Sequence, residues 1–275
     1  ANGETYSEAI MLANVANGDG GFEMKFLGDT EATHEKFIST LGDFSEKITP
    51  GDIFICFIST HGFAGDKMGL SEPSLRMYDS LMLMKRLTYK QLNERVKLFV
   101  ERQCRFIGVI QACYSQAMVD GGYLLTSKEI SDYINQCGLR ECGAYSAYTA
   151  WITSSITEQG SWKYNLADMS QFSEYFVKNA WRDKYADVDL WIEGKKNEKP
   201  YHGDGFIDFR ELAEYVQMMY RAGDKNSGQV HHSTAVVWNS DLMSKICVGI
   251  VPDGHIYEYN GESLTPPKNI ESKYN

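Results

Sequence analysis

No stretch of this sequence approaches the length of a membrane span, and its N-terminus lacks the charged, apolar and small-residue order of a signal peptide. Basic charge is also short: 27 Lys and Arg against 37 Asp and Glu leave a formal charge of −10, which argues against nucleic-acid binding. Cysteine is sparse, six residues without the dense spacing of a disulfide framework, and this points to a reducing compartment. There is no internal repeat and no low-complexity tract beyond one charged loop. The expectation is a soluble, cytoplasmic protein with no membrane or nucleic-acid partner. What is present is apolar substance: 43% hydrophobic residues over 275 positions suffice for the core of one large or two small domains. The chain begins at Ala1 without methionine, as a fragment or a processed form would.

Apolar spacing divides the chain into alternating elements. Residues Thr5 to Asn17 are apolar at helical intervals and end at the breaker Asn17 to Gly21, after which Phe22 to Leu27 alternates like a half-buried strand. Thr30 is placed to cap a helix running to Ile48, which buries Phe37, Leu41 and Phe44 and stops before Pro50-Gly51. Asp52 to Thr60 reads as a strand, Phe63 to Pro73 as a loop, Tyr78 to Met84 as extended and Thr88 to Arg102 as a helix. Arg105 to Gln111, Ala144 to Ser154 and Ser233 to Trp238 follow as strands, Gln171 to Trp181 and Phe209 to Tyr220 as helices, and Asp183 to Pro200 as the charged loop. Strands alternating with helices predict an α/β fold with a mostly parallel sheet covered on both faces. The connection from Gln116 to Cys142 holds a short helix around Glu129 to Gln136 but is too long for a tight loop. It is expected to be a mobile linker that is cut or that gates a cleft.

Two of the strands end in reactive side chains. The first runs into His61-Gly62 and the second into Cys113. A thiol attacks a carbonyl as thiolate, so it needs an imidazole to take its proton and later return one to the leaving amine. Parallel strands ending at one sheet edge supply that geometry, because ligands of open α/β sheets bind outside the carboxyl ends of the strands. Gly62 lets backbone approach a substrate, and its N–H with that of Cys113 forms a candidate oxyanion site. A solitary cysteine is otherwise a small buried hydrophobe, the reading given to Cys56, Cys104, Cys137, Cys142 and Cys247.

A Gln-Ala-Cys tripeptide with a histidine about 50 residues upstream is a local mark of caspases, and here Gln111-Ala112-Cys113 follows His61, the cysteine standing 52 positions after the histidine. Further matches, in order, are Glu31-Ala32-Thr33 before a helix, Pro50 to Phe54 entering the histidine strand, Tyr78-Asp79, Tyr114-Ser115 after the cysteine, and Gly205 to Leu212. The chain therefore resembles the caspase-like (clan CD) cysteine peptidases, metacaspases and bacterial caspase-like proteins in particular, from about Gly21 to about Val216. The resemblance implies one caspase-like domain over residues 1–275, a three-layer sandwich whose mostly parallel sheet has helices on both faces. It implies a cysteine endopeptidase acting on a protein or peptide substrate through a thioacyl-enzyme, with no cofactor and no metal, and open to a regulatory protein partner. His61 is then general base and acid, Cys113 nucleophile, and Gly62 and Cys113 oxyanion donors. The substrate-binding set is Gln111, Ser154, Ser155, Glu158, Ser161, Trp162 and Lys163, the last three resembling a Ser-Trp-Arg run of caspases. A catalytically silent caspase-like scaffold and a different Cys-His acyl transferase are the alternatives.

Departures from the family pattern sharpen these expectations. Metacaspases that cleave after Arg or Lys carry aspartate where this chain has Gln111, and an acidic cluster where Leu70 to Arg76 holds one acid and one base. The glycine familiar two or three positions after the nucleophile is absent. The family's first core strand has no counterpart unless it is Ala9 to Val15. Asp204 to Glu211 copies the second half of a calcium-binding loop, but Pro200 and His202 stand where its first acidic ligands belong, so it reads as a turn capping a helix. His231-His232 lacks ligands at zinc spacing and reads as a surface pair.

Overall fold

The structure, a computed structural model, describes residues 22–65, 69–78, 85–120, 147–157, 159–161, 170–187, 205–227 and 235–251. The proposed helix at Thr5, the Glu129 to Gln136 helix, most of the Gln116 to Cys142 connection and His231-His232 lie outside them.

Four strands build the central sheet: β1 (Ile53–Ser59), β5 (Arg105–Gln111), β6 (Thr149–Thr153) and β8 (Val236–Trp238), in the order β1-β5-β6-β8. The first three are parallel, and β8 runs antiparallel against β6. Alternate residues of β5 serve two separate cores, as a period of two requires. Ile107 and Val109 face one cluster, while Phe106 and Ile110 face the other. Helices α1 (His34–Lys47) and α2 (Tyr89–Glu101) lie on the Phe106 side and bring in Leu41, Leu92, Val96 and Phe99. On the opposite face the helix from Gln171 to Arg182 (α4) packs with α5 (Phe209–Ser227). The result is a three-layer α/β sandwich with a mostly parallel sheet in the middle. Gly108 interrupts β5 for a steric reason: a Cβ there would collide with the Trp151 ring, which lies across it from β6.

A small second sheet stands beside the first. β2 (Gly62–Phe63), β3 (Ser74–Arg76) and β4 (Arg86–Thr88) form an antiparallel trio. A third pairing joins β7 (Phe206–Asp208) to β9 (Cys247–Ile250). The helical turns α3 (Ala117–Asp120) and α6 (Ser240–Met243) complete the described elements.

Local rules explain several boundaries. The α2 start is a reciprocal capping box in which Thr88 accepts from Gln91 N–H and Gln91 accepts from Thr88 N–H. Asp208 and Glu211 form the same device at α5, so the segment resembling half a calcium loop acts as a helix cap. The α1 cap is Thr33 rather than Thr30, because residues 29–31 are taken by a 3-10 turn.

Other expectations are corrected. Phe22 to Leu27 is not a strand; alternation alone makes none without a ladder partner, and Phe22 instead packs against the core. Of the extended Tyr78 to Met84 segment only Tyr78 is described, and the strands β3 and β4 flank it. The Gln171 helix is α-helical only to Ser173 and continues as π-helix from Glu174 to Arg182. The wider i→i+5 winding suits its core face, where Phe172, Phe176 and Trp181 fall at steps of four and five residues. Phe172 stacks on Phe176 at 5.5 Å, and Phe176 and Trp181 both meet Phe209, at 6.1 and 5.8 Å. Cys247 is exposed rather than buried.

Candidate active site

β1 and β5 run parallel and in register to their ends, where Ser59 stands opposite Gln111. Thr60 N–H then donates to the Gln111 carbonyl at 3.1 Å, so both chains leave the sheet at the same edge. His61 follows on one side and Cys113 on the other. The two exits touch at Gly62: a Cβ there would overlap the Cys113 carbonyl oxygen and stand 3.2 Å from Ala112 Cβ. Only glycine lets the histidine segment pass the cysteine this closely.

Cys113 sits at the head of a tight turn. Tyr114 adopts a left-handed conformation with φ of 57°, which for a non-glycine residue is strained and turns the chain sharply after Cys113. The turn is fastened from below. Ala112 N–H donates to Ser154 Oγ at 3.1 Å, Ser115 N–H to Ser155 Oγ at 3.1 Å, and Ser155 Oγ–H to the Ala112 carbonyl at 2.8 Å. Tyr114 N–H donates to the Gln159 carbonyl and Gln116 N–H to that of Ser155. Of the five amides from Ala112 to Gln116, the Cys113 N–H alone has no acceptor among the described residues. Gly62 contributes a second amide. Arg76 N–H donates to the His61 carbonyl, and ladder alternation then places Gly62 in the pair that exchanges no bonds with β3, with its N–H directed away from that strand. Two backbone donors thus stand available at the meeting point of the histidine and cysteine segments.

The thiol is partly exposed and held by a third segment. Ser161 N–H donates to Cys113 Sγ at 3.4 Å, and a Cβ on Gly160 would sit 3.7 Å from the same sulfur. His61 is exposed and makes no hydrogen bond to the thiol in this structure. A rotation of the imidazole toward Sγ is needed for proton transfer, as in resting enzymes whose catalytic bonds tighten on binding. Two of the other described thiols differ by burial. Burial pushes Cys56 up to about 12, and it also raises Cys104, whose Sγ–H donates to the Thr49 carbonyl at 3.0 Å. Neither serves as thiolate near neutrality.

The remaining site residues separate into three groups. Gln111 is partly exposed, accepts from Ser59 Oγ–H at 2.5 Å and donates Nε2 to Ser161 Oγ at 3.4 Å, which places it and Ser161 beside the thiol. Ser154 and Ser155 are fully buried (0% exposed) and fasten the turn after β5, out of reach of a substrate. Glu158, Trp162 and Lys163 lie outside the described residues. Sequence reasoning missed Tyr114, Ser115, Ser59 and Gly160. The polar run Tyr114-Ser115-Gln116 in place of a glycine was the available signal for the strained turn.

No family model matches the chain, and neither does any curated protein. Twenty-two solved chains do. One is protein GSU0716 from Geobacter sulfurreducens, which shares 13% identity over 86% of this chain and 81% of that chain at a TM-score of 0.49. Likeness at that level carries no argument about function.

Proposed function

We propose that this protein is a caspase-like cysteine endopeptidase. The observation that carries the reading is the contact of Gly62 with the Cys113 carbonyl, which brings a histidine, a partly exposed thiol and two unengaged amides to one edge of a parallel sheet. The reaction follows from those groups. His61 takes the Cys113 proton, the thiolate attacks the scissile carbonyl carbon, and the Gly62 and Cys113 N–H groups receive the negative oxygen. The C–N bond breaks as His61 returns the proton to the amine. Water then attacks the thioester with His61 again as base, releasing the acid and the free thiol.

A caspase-like scaffold that binds without cleaving is the second reading, favoured by the Ser161 N–H contact that holds the sulfur in place of His61. An electrophilic peptide probe separates the two. Labelling at Cys113 that is lost in His61→Ala supports the peptidase, and no labelling of the intact protein supports the scaffold.

A further inference from the structure

The β2-β3-β4 sheet carries an unbalanced positive charge beside the candidate dyad. In its ladder Phe63 pairs with Ser74 and Ser74 with Thr88, while Arg76 pairs with Arg86. Residues opposite one another share a face, so Phe63, Ser74, Arg76 and Arg86 project from the same side. His61 continues the β2 edge by one step: Arg76 N–H donates to its carbonyl at 2.8 Å, and Thr60 Oγ–H donates to the Arg76 carbonyl at 2.8 Å.

Two like charges directly opposite in a ladder are unfavourable, and among the described residues no carboxylate offsets them. Arg86 is only 8% exposed, and its Nη1 has no hydrogen-bond partner. Its guanidinium lies over the Phe63 ring at 3.8 Å. Among the described residues no carboxylate lies within ion-pair distance of Arg76 or Arg86. Burial without a counter-charge draws the Arg86 guanidinium below its ordinary value. Ser74 beside it is 2% exposed, and its hydroxyl also lacks a partner. A cation–π contact offsets only part of the cost of burying an unpaired cation. Among the described residues the Arg86 cation is left without an anion.

We propose that this face is a subsite for a carboxylate side chain of the substrate, on the C-terminal side of the scissile bond. The placement rests on the peptidase reading: the imidazole that protonates the leaving amine stands next to that amine, and Arg76 is tied directly to the His61 backbone, while Gly62, whose Cβ position meets Cys113, alternates onto the other face of the sheet. A guanidinium stacked on Phe63 keeps its edge for the paired N–H donation that carboxylates accept, and the Ser74 hydroxyl supplies a further donor.

Matched peptides with Asp or Asn at each of the first three positions after the scissile bond test the idea. Wild-type protein is expected to favour Asp at one position by about tenfold in kcat/KM, and Arg86→Met to bring the ratio to about one, with Arg76→Gln lowering it in part. The effect belongs to acylation; hydrolysis of an acyl-enzyme formed from an ester lacking those residues should not change. A binding arm stands apart from catalysis: a hexapeptide bearing the Asp should bind Cys113→Ala protein more tightly than its Asn twin, and Arg86→Met in that background should abolish the difference. If no peptide is cleaved and no probe labels Cys113, the peptidase reading fails while this arm still measures the subsite. The proposal is overturned by equal handling of Asp and Asn, by discrimination that survives Arg86→Met, or by Arg86 dependence confined to residues before the scissile bond. Failure of Arg86→Met to fold would also overturn it, since the charge would then be satisfied within the protein.

Discussion

The Cα of Gly62 stands so close to the carbonyl oxygen of Cys113 that a methyl group between them has no space. The obstacle is backbone on both sides, so no rotamer relieves it. Gly62→Ala must push apart the segments that carry the imidazole and the thiol. Displacements near 1 Å at reacting groups cost on the order of a hundredfold, so kcat/KM on any cleaved peptide should fall by about that much or more. Near-wild-type turnover in Gly62→Ala would show that the contact does not position the dyad.

Thiol chemistry offers a second check. Cys113 is partly exposed, whereas Cys56, pushed up to about 12, and Cys104 are buried. Iodoacetamide at neutral pH should modify Cys113 in the folded protein and leave Cys56 and Cys104 intact until denaturant is added. Peptide mapping reads the outcome. Cys113→Ala should abolish peptidase turnover and change stability by about 1 kcal/mol or less, since a partly exposed small side chain contributes little packing.

The serine pair beneath Cys113 should couple stability to activity. Ser155→Ala removes the acceptor for the buried Ser115 N–H and one of two donors to the Ala112 carbonyl, which keeps Ser154 Oγ–H at 3.2 Å. An unsatisfied buried amide of this kind costs about 1 to 3 kcal/mol. Denaturant midpoints should drop accordingly, and kcat should fall by about tenfold or more as the turn loosens. Ser155→Thr retains the hydroxyl, so it should recover part of the activity if the turn admits the extra methyl.

Acid stability should report Asp52, which immediately precedes β1. Its carboxylate accepts from Thr49 N–H at 2.7 Å and Thr49 Oγ–H at 3.0 Å, and these bonds hold it below the ordinary aspartate range. A lowered folded value means that the contribution is complete above the unfolded value of about 4 and is lost as pH falls through the folded one. Asp52→Ala should therefore lower Tm at pH 6, and the gap from wild type should close below that range. A gap that is constant with pH would assign the loss to packing.

Specificity at the residue before the scissile bond tests Gln111. A pocket selecting Arg or Lys requires a facing carboxylate, and the Gln111 amide, bonded to Ser59 and Ser161, offers none. Peptides differing only at that residue should show basic side chains disfavoured against neutral ones. A clear preference for Arg or Lys would direct attention to Glu158, which is close to Gln159 and Gly160 in sequence.

Much of this architecture is written in local sequence. The apolar runs ending at His61 and Cys113, the capping signals at Thr88 and Asp208, and the order of strands and helices each depend on a residue and its near neighbours. Such patterns survive in the folded chain because period and capping are short-range properties. What sequence could not show is which distant groups meet. Ser154 and Ser155 read as cleft residues, yet the turn after β5 is closed by their hydroxyls from about 40 positions away. The left-handed Tyr114 stands where local preference asks for glycine, and those long-range bonds hold it there. The same is true of the π-helical winding at Glu174–Arg182, set by the Phe209 and Trp181 packing, and of β8, whose antiparallel direction only its partner β6 defines. The sequence by itself determined which groups stand at the strand ends. Tertiary structure decided which amides remain free and which charges remain unpaired, because satisfying a polar group depends on every atom around it and not on its place in the chain.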